Sequence, residues 1–174
     1  MIRNRVDIIT MGCSKNLIDS ERIIRRLKTK GYEAFHNAES PCGEYVVVNT
    51  CGFIADAKEE SIEMLLDLAR LKEDGEIGKI VAMGCLTQRY RDDLIKELPE
   101  IDIILGKFDW DGFIETLPDL TKLPKPKSWE REITTPPHSA YLKISEGCNR
   151  FCAFCAIPII TGRHTSRPIE EILE

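Results

Sequence analysis

The pattern that most restricts the fold of this chain is the alternation of short β-branched runs with amphipathic helical stretches across residues 1–117. The clearest run is Tyr45–Asn49, which reads YVVVN. We predict strands at Val6–Met11, Tyr32–Phe35, Tyr45–Asn49, Lys79–Met83 and Ile101–Leu105. We predict helices over Leu17–Lys30, after Asp56, over Thr87–Leu98 and over Trp110–Leu117.

Alternating strands and helices predict an α/β fold with a parallel sheet between two helical layers. Right-handed crossovers are nearly obligatory in such a sheet. We expect five strands in the flavodoxin-like order 2-1-3-4-5. For the second helix, Asp56 and Glu59 have the spacing of a capping box. A core-facing stripe is predicted at Ile62, Leu65, Leu66 and Ala69.

The sequence predicts three segments. Residues 1–117 form the α/β domain. Residues 118–137 hold five of the nine prolines without any periodicity, which is typical of a linker. Residues 138–174 read as the start of a second, truncated domain, with a strand at Ala140–Ser145 and a helix beginning at Pro168.

The seven cysteines set the expected chemistry. No apolar run approaches the length of a membrane span, and Met1–Thr10 lacks the apolar core of a signal peptide. We therefore expect a cytoplasmic protein without membrane contact, where disulfides are disfavoured and metal or cluster binding becomes the leading explanation. The net charge is −5 and no block of Lys and Arg is present, so we do not expect this segment to bind nucleic acid.

Three cysteines lie within eight residues, at Cys148, Cys152 and Cys155, in the spacing CxxxCxxC. The short chain between them forces the three thiols close together. Zinc usually takes two separated ligand pairs, and no second pair is present in the sequence. A [4Fe–4S] cluster usually takes four thiolates, so three would leave one iron open. Zinc or plain buried thiols remain the alternatives.

Three further cysteines, Cys13, Cys51 and Cys85, each follow a predicted strand by one or two residues. In an open parallel sheet, ligands bind beyond the carboxyl ends of the strands. Strands 1, 3 and 4 are neighbours in the order 2-1-3-4-5, so sulfurs at their ends could span one cluster. Three buried structural cysteines beside ordinary turn glycines are the alternative.

Both cysteine sets carry a family resemblance. The CxxxCxxC loop is similar to that of radical S-adenosylmethionine enzymes. Three other stretches resemble the N-terminal domain of methylthiotransferases, closest to the RimO-type branch: MGCSKNLIDSE at 11–21, VNTCGFIADAKEES at 48–61 and MGCLTQ at 83–88. The resemblance covers residues 5–174 and is weakest in the proline-rich segment. It departs from many relatives at Thr161-Gly162, where they carry Arg-Gly.

The resemblance implies two [4Fe–4S] clusters and S-adenosylmethionine as cofactors. Cys148, Cys152 and Cys155 would hold the radical-generating cluster, with Phe154 near the adenine of S-adenosylmethionine. Cys13, Cys51 and Cys85 would hold an auxiliary cluster. The implied reaction adds a methylthio group to the β-carbon of an aspartate of the small-subunit ribosomal protein S-twelve, with electrons from a low-potential donor.

Two other functions stay open at this point. One is a tRNA methylthiotransferase of the same superfamily. The other is a non-catalytic iron–sulfur or zinc module. The family also continues beyond a first βα unit of a radical S-adenosylmethionine partial barrel, so we expect this segment alone to be inactive.

Overall fold

The computed structural model describes residues 1–173. The chain divides into a unit of Met1–Thr134 and a second unit that begins at Thr135. The strands of the first unit are β1 (Ile2–Thr10), β2 (Glu33–His36), β3 (Gly43–Thr50), β4 (Lys79–Gly84) and β5 (Ile103–Ile104). Its helices are α1 (Ser14–Lys30), α2 (Ala55–Glu73), α3 (Cys85–Glu97) and α4 (Trp110–Thr116).

The five strands form one parallel sheet in the order β2-β1-β3-β4-β5, which confirms the predicted order. Thr10 pairs with Asn49, and Thr50 pairs with Gly84. The neighbouring strands β1, β3 and β4 therefore end at nearly the same level on the carboxyl edge of the sheet.

The strand residues divide between two cores because successive side chains of a strand point to opposite faces. In β3, Val47 packs on one face, and Val46 and Val48 pack on the other. Residues of α1 and α4 cover the first face, and residues of α2 and α3 cover the second. Both faces of the sheet are therefore buried, as expected for a parallel sheet.

Helix α2 differs from its prediction in its N-terminal cap and in the set of residues that it buries. It begins at Ala55 after Ile54 as N-cap, without a side-chain cap, so Asp56 lies in the first turn and the predicted capping box is wrong. Leu66 is 40% exposed, while Leu68 is buried. The buried stripe includes Ser61, Leu65 and Leu68, so the helix is rotated relative to the predicted stripe.

The polypeptide after α4 runs along α1 without forming a long element of its own. The backbone N–H of Leu120 donates to the carbonyl of Lys30, and that of Glu132 donates to the carbonyl of Glu21. Glu21 is 1% exposed, and its carboxylate accepts from Arg131 at 2.8 Å and from the backbone and hydroxyl of Thr134 at 2.8 and 3.1 Å. Residues up to Thr134 are thus attached to the first unit.

This attachment gives a stability prediction. Glu21→Gln replaces a buried acceptor of three hydrogen bonds by a group with one acceptor oxygen, opposite Arg131. We expect the free energy of unfolding to fall by about 2–3 kcal/mol, measured by urea denaturation. Glu132→Gln is the control, since Glu132 pairs with Lys28 at the surface. Equal losses in both variants would contradict the role of the buried carboxylate.

The second unit contains β6 (Ser145–Glu146), α5 (Ile157–Thr161), β7 (Thr165–Ser166) and α6 (Ile169–Leu173). The strands β6 and β7 pair antiparallel. The predicted strand over Ala140–Ser145 is wrong for Ala140–Ile144, because the only pairing partner in the described residues, β7, is two residues long. Helix α6 follows Pro168, near the predicted helix start.

Across residues 1–173, none of the helices combines the length and the apolar character that crossing a lipid bilayer would require.

Candidate functional site

Three predicted ligands lie at the carboxyl edge of the sheet. Cys13 is the N-cap of α1, shortly after β1. Cys51 directly follows β3, and Cys85 directly follows β4 as the first residue of α3. Because these strands are neighbours that end at one level, the fold brings the three cysteines to the same edge.

Two glycines allow the turns that carry these cysteines to approach each other. A Cβ atom on Gly12 would lie 2.6 Å from the Sγ atom of Cys51, and Gly12 has a φ of +82° that favours glycine. A Cβ atom on Gly52 would lie 2.6 Å from the Cα atom of Leu86. The thiol of Cys51 thus lies against the residue before Cys13, and the turn after Cys51 packs on the start of α3.

The three thiols differ in exposure and share one electrostatic environment. Cys51 is buried, Cys85 is half-buried and Cys13 is exposed. Burial raises the pKa of the Cys85 thiol, the ammonium of Lys107 opposes that rise, and the charges of Cys51 and Cys13 add to it. The starts of α1 and α3, at Cys13 and Cys85, favour negative charge there.

Hydrogen bonds fix the backbone around the thiols. The side chain of Asn16 donates to the carbonyls of Met11 and Thr50, at 3.0 and 3.1 Å, which ties the ends of β1 and β3 together. The Asn49 side chain donates to the Asn16 carbonyl at 2.8 Å. The Asn49 amide also donates to the Ser20 hydroxyl at 3.1 Å, so the N–H groups of both amides support the turns, while the side-chain oxygen of Asn16 accepts from the Cys85 thiol at 3.8 Å.

Two residues at this site were missed in the sequence analysis. The hydroxyl of Ser61 in α2 accepts from the backbone N–H of Cys51 at 2.9 Å and donates to the Cys51 carbonyl at 3.1 Å. Lys107 is 2% exposed, and its Nζ atom lies 3.8 Å from the Sγ atom of Cys85. A signal for Lys107 was available, since it closely follows β5 and therefore lies at the same edge of the sheet.

The second predicted set lies in the loop between β6 and α5. Cys148 and Cys155 are half-buried, and Cys152 is exposed. The backbone N–H of Arg150 lies 3.4 Å from the Sγ atom of Cys148, and the N–H of Cys155 donates to the Cys152 carbonyl at 3.0 Å. Phe154 is 95% exposed. The N–H of Cys148 donates to the carbonyl of Gly162 at 3.1 Å, which joins the start of the loop to the end of α5.

The donor atoms at both sets suit an iron–sulfur cluster. No three Cys, His, Asp or Glu side chains among residues 1–173 have the arrangement that holds a single metal ion. The thiolates of a four-iron cluster bind different irons, so they need not converge on one point. At the edge of the sheet, Gly12 leaves room for the thiol of Cys51, and the buried ammonium of Lys107 beside Cys85 suits the negative charge of a cluster with thiolate ligands.

Cys42 lies away from the other cysteines of the first unit. It precedes β3, whereas Cys51 follows it, so the two thiols are at opposite edges of the sheet. The eight residues of β3 separate them by about 26 Å. Substitution of Cys42 is therefore a suitable control for substitutions of the cysteines at the carboxyl edge.

Comparisons with known proteins agree with the motif-based resemblance. The chain is 56% identical over 175 residues to a Bacteroides fragilis protein named "Ribosomal protein uS12 methylthiotransferase RimO", with 100% of this chain and 40% of that protein covered. Proteins of the same name from Phocaeicola vulgatus and Cytophaga hutchinsonii are 55% and 44% identical, covering 100% and 99% of this chain and 40% and 39% of theirs. The chain thus spans about 40% of the length of the curated relatives it matches, and these matches confirm the resemblance to the RimO-type branch.

A family model described as "Uncharacterized protein family UPF0004" matches residues 5–106, which contain Cys13, Cys51, Cys85 and all of the five-stranded sheet except the first three residues of β1. Because the match covers more than half of the 174 residues, the chain belongs to this family.

Proposed function

We propose that this chain is the cluster-binding part of a radical S-adenosylmethionine methylthiotransferase. The whole enzyme would add a methylthio group to the β-carbon of an aspartate in ribosomal protein uS12, the S-twelve protein. Relatives that are 44% and 56% identical to this chain are named for this substrate, which supports uS12 as the target. The reaction belongs to the whole enzyme, of which the chain corresponds to about 40%.

One observation carries the proposal. Three cysteines follow three neighbouring parallel strands and reach one edge of the sheet, with Gly12 making room for the thiol of Cys51. Cys13, Cys51 and Cys85 would hold the auxiliary [4Fe–4S] cluster through three irons. Such a cluster, when bound with one open iron, supplies a place for a small sulfur ligand.

The second cysteine set would serve the radical chemistry. Cys148, Cys152 and Cys155 would hold the other [4Fe–4S] cluster, and the exposed ring of Phe154 would contact the adenine of S-adenosylmethionine. Two clusters call for a low-potential electron donor as a partner. The proposed reaction on a ribosomal protein would take place in the cytoplasm, where cysteine thiols usually stay reduced.

The test is mass spectrometry of uS12 from a strain that lacks the gene for this protein. We expect uS12 to lose the mass of one methylthio group and to regain it when the complete wild-type gene is supplied. A gene with Cys42→Ala should restore the modification, and one with Cys51→Ala should not. The tRNA of the same strain is measured in parallel: loss of a methylthio group from tRNA with uS12 unchanged would favour the tRNA enzyme and refute the proposal.

A further inference from the structure

Lys107 is a buried cation at the edge of the sheet that carries Cys13, Cys51 and Cys85. It follows β5, and its side chain is 2% exposed. A buried ammonium is costly unless acceptors surround it. The acceptors around Lys107 therefore show which groups it serves.

The acceptors near the Nζ atom of Lys107 include two side-chain oxygens and one sulfur. The carboxylate oxygen of Asp19 lies at 3.5 Å, the side-chain oxygen of Asn16 at 3.4 Å and the sulfur of Cys85 at 3.8 Å. The two oxygens are farther away than the usual ~2.7–3.2 Å of an N–H···O bond. The ammonium is thus shared among the three groups, and the thiol is one of them.

The backbone of Lys107 is held in place by its neighbours. Its N–H donates to the side-chain oxygen of Gln88 in α3 at 3.0 Å. The N–H of Gly106 donates to the carboxylate of Asp109 at 3.0 Å. Since α3 begins at Cys85, the same helix positions both the thiol and the backbone of the cation beside it.

We propose that Lys107 is a positioning residue of the site formed by Cys13, Cys51 and Cys85, where its ammonium donates a hydrogen bond to the Cys85 sulfur and raises the reduction potential of the bound cluster. The inference rests on the proposed function for the presence of that cluster. Reduction adds one electron from an external donor and therefore adds negative charge. A cation and a hydrogen-bond donor beside a ligand sulfur stabilise the reduced form more than the oxidised form.

The test isolates this cluster in the full chain. Replacing Cys148, Cys152 and Cys155 by alanine leaves one trio, and the reconstituted protein is titrated with dithionite under electron paramagnetic resonance. With Lys107→Met added, we expect the ratio of reduced to oxidised cluster at a fixed potential to fall about tenfold, equal to a midpoint about 59 mV lower. Lys30→Met is the matched control, since its ammonium pairs with Asp119 and the Leu117 carbonyl.

A second variant guards against misfolding. Lys107→Met alone removes the ammonium that lies 3.5 Å from the buried carboxylate of Asp19, so Asp19→Asn is combined with it to remove both charges. The double variant still lacks the donor to sulfur, and we expect its potential to fall in the same direction. A ratio of reduced to oxidised cluster within twofold of the parent's in both variants would overturn the inference and leave Lys107 as a counter-ion of Asp19.

Iron analysis of the parent separates the two proposals. If the chain without Cys148, Cys152 and Cys155 binds no iron, the proposed function fails and the inference fails with it. If it binds about four irons and the potential does not respond to Lys107, only the inference fails.

Discussion

Replacing Cys51 by alanine is expected to halve the iron that the anaerobically reconstituted chain retains. Two four-iron clusters correspond to about eight irons per chain, and the variant should keep about four. Cys51 is 6% exposed and lies against Gly12, so the methyl group of the alanine variant leaves a buried position without a ligand sulfur. Iron and sulfide analysis, with the charge-transfer absorbance, measures the loss.

Cys148→Ala should give the same loss by removing the other cluster, and the double variant should retain almost no iron. Cys42→Ala is the matched control within the first unit, because Cys42 lies at the opposite edge of the sheet. Full iron content in Cys51→Ala would refute the auxiliary site. Bound zinc in place of iron in the parent chain would favour a structural module.

Gly84→Ala is expected to be among the most destabilising single substitutions in the first unit. Gly84 has a φ of +111°, and an added Cβ atom would lie 2.4 Å from the Thr50 carbonyl oxygen and 2.8 Å from the Thr50 nitrogen. Both contacts are to the backbone of a central strand, which cannot move without disturbing the pairing of β3 and β4. We expect the free energy of unfolding to fall by about 4 kcal/mol or more.

Gly75→Ala separates the two causes of that loss. Gly75 also has a positive φ, of +75°, but an added Cβ atom there would have nothing within 4 Å. It should cost only the backbone strain, about 1–2 kcal/mol. Urea denaturation of both variants measures the difference, and equal losses would show that the close approach to Thr50 is not what demands glycine.

The strands could be predicted because each strand signal was local, and their order followed from the alternation with helices and from right-handed crossovers. The runs at Tyr45–Asn49 and Lys79–Met83 are β-branched and flanked by helical periodicity, so their type followed from the sequence alone. The arrangement of Cys13, Cys51 and Cys85 along one edge then followed from the order of the strands. The inward set of α2 did not follow, because Leu66 and Leu68 are both apolar and only packing against the sheet chooses between them.

The supports of the site depend on contacts between distant segments. Ser61 reads as an ordinary helical serine until α2 places it on the backbone of Cys51. Lys107 reads as a solvated lysine until α1 supplies Asp19 and Asn16 as its acceptors. The predicted strand over Ala140–Ile144 is wrong for a related reason, since β propensity without a pairing partner does not make a strand.

The two cysteine sets tolerate insertions differently. Cys148, Cys152 and Cys155 share one loop, so a single added residue there changes the distances among them. The other three cysteines, Cys13, Cys51 and Cys85, follow the ends of three strands that lie at one level. Their spatial arrangement depends on the strand register and does not depend on the lengths of the connections between the strands. Segments added to the turns at the amino edge, such as the one before Gly43, would lengthen the chain between the cysteines and leave their spatial arrangement intact. Searches for sites of this kind should therefore look for cysteines that follow the carboxyl ends of neighbouring strands, because a search for fixed sequence spacings would miss them.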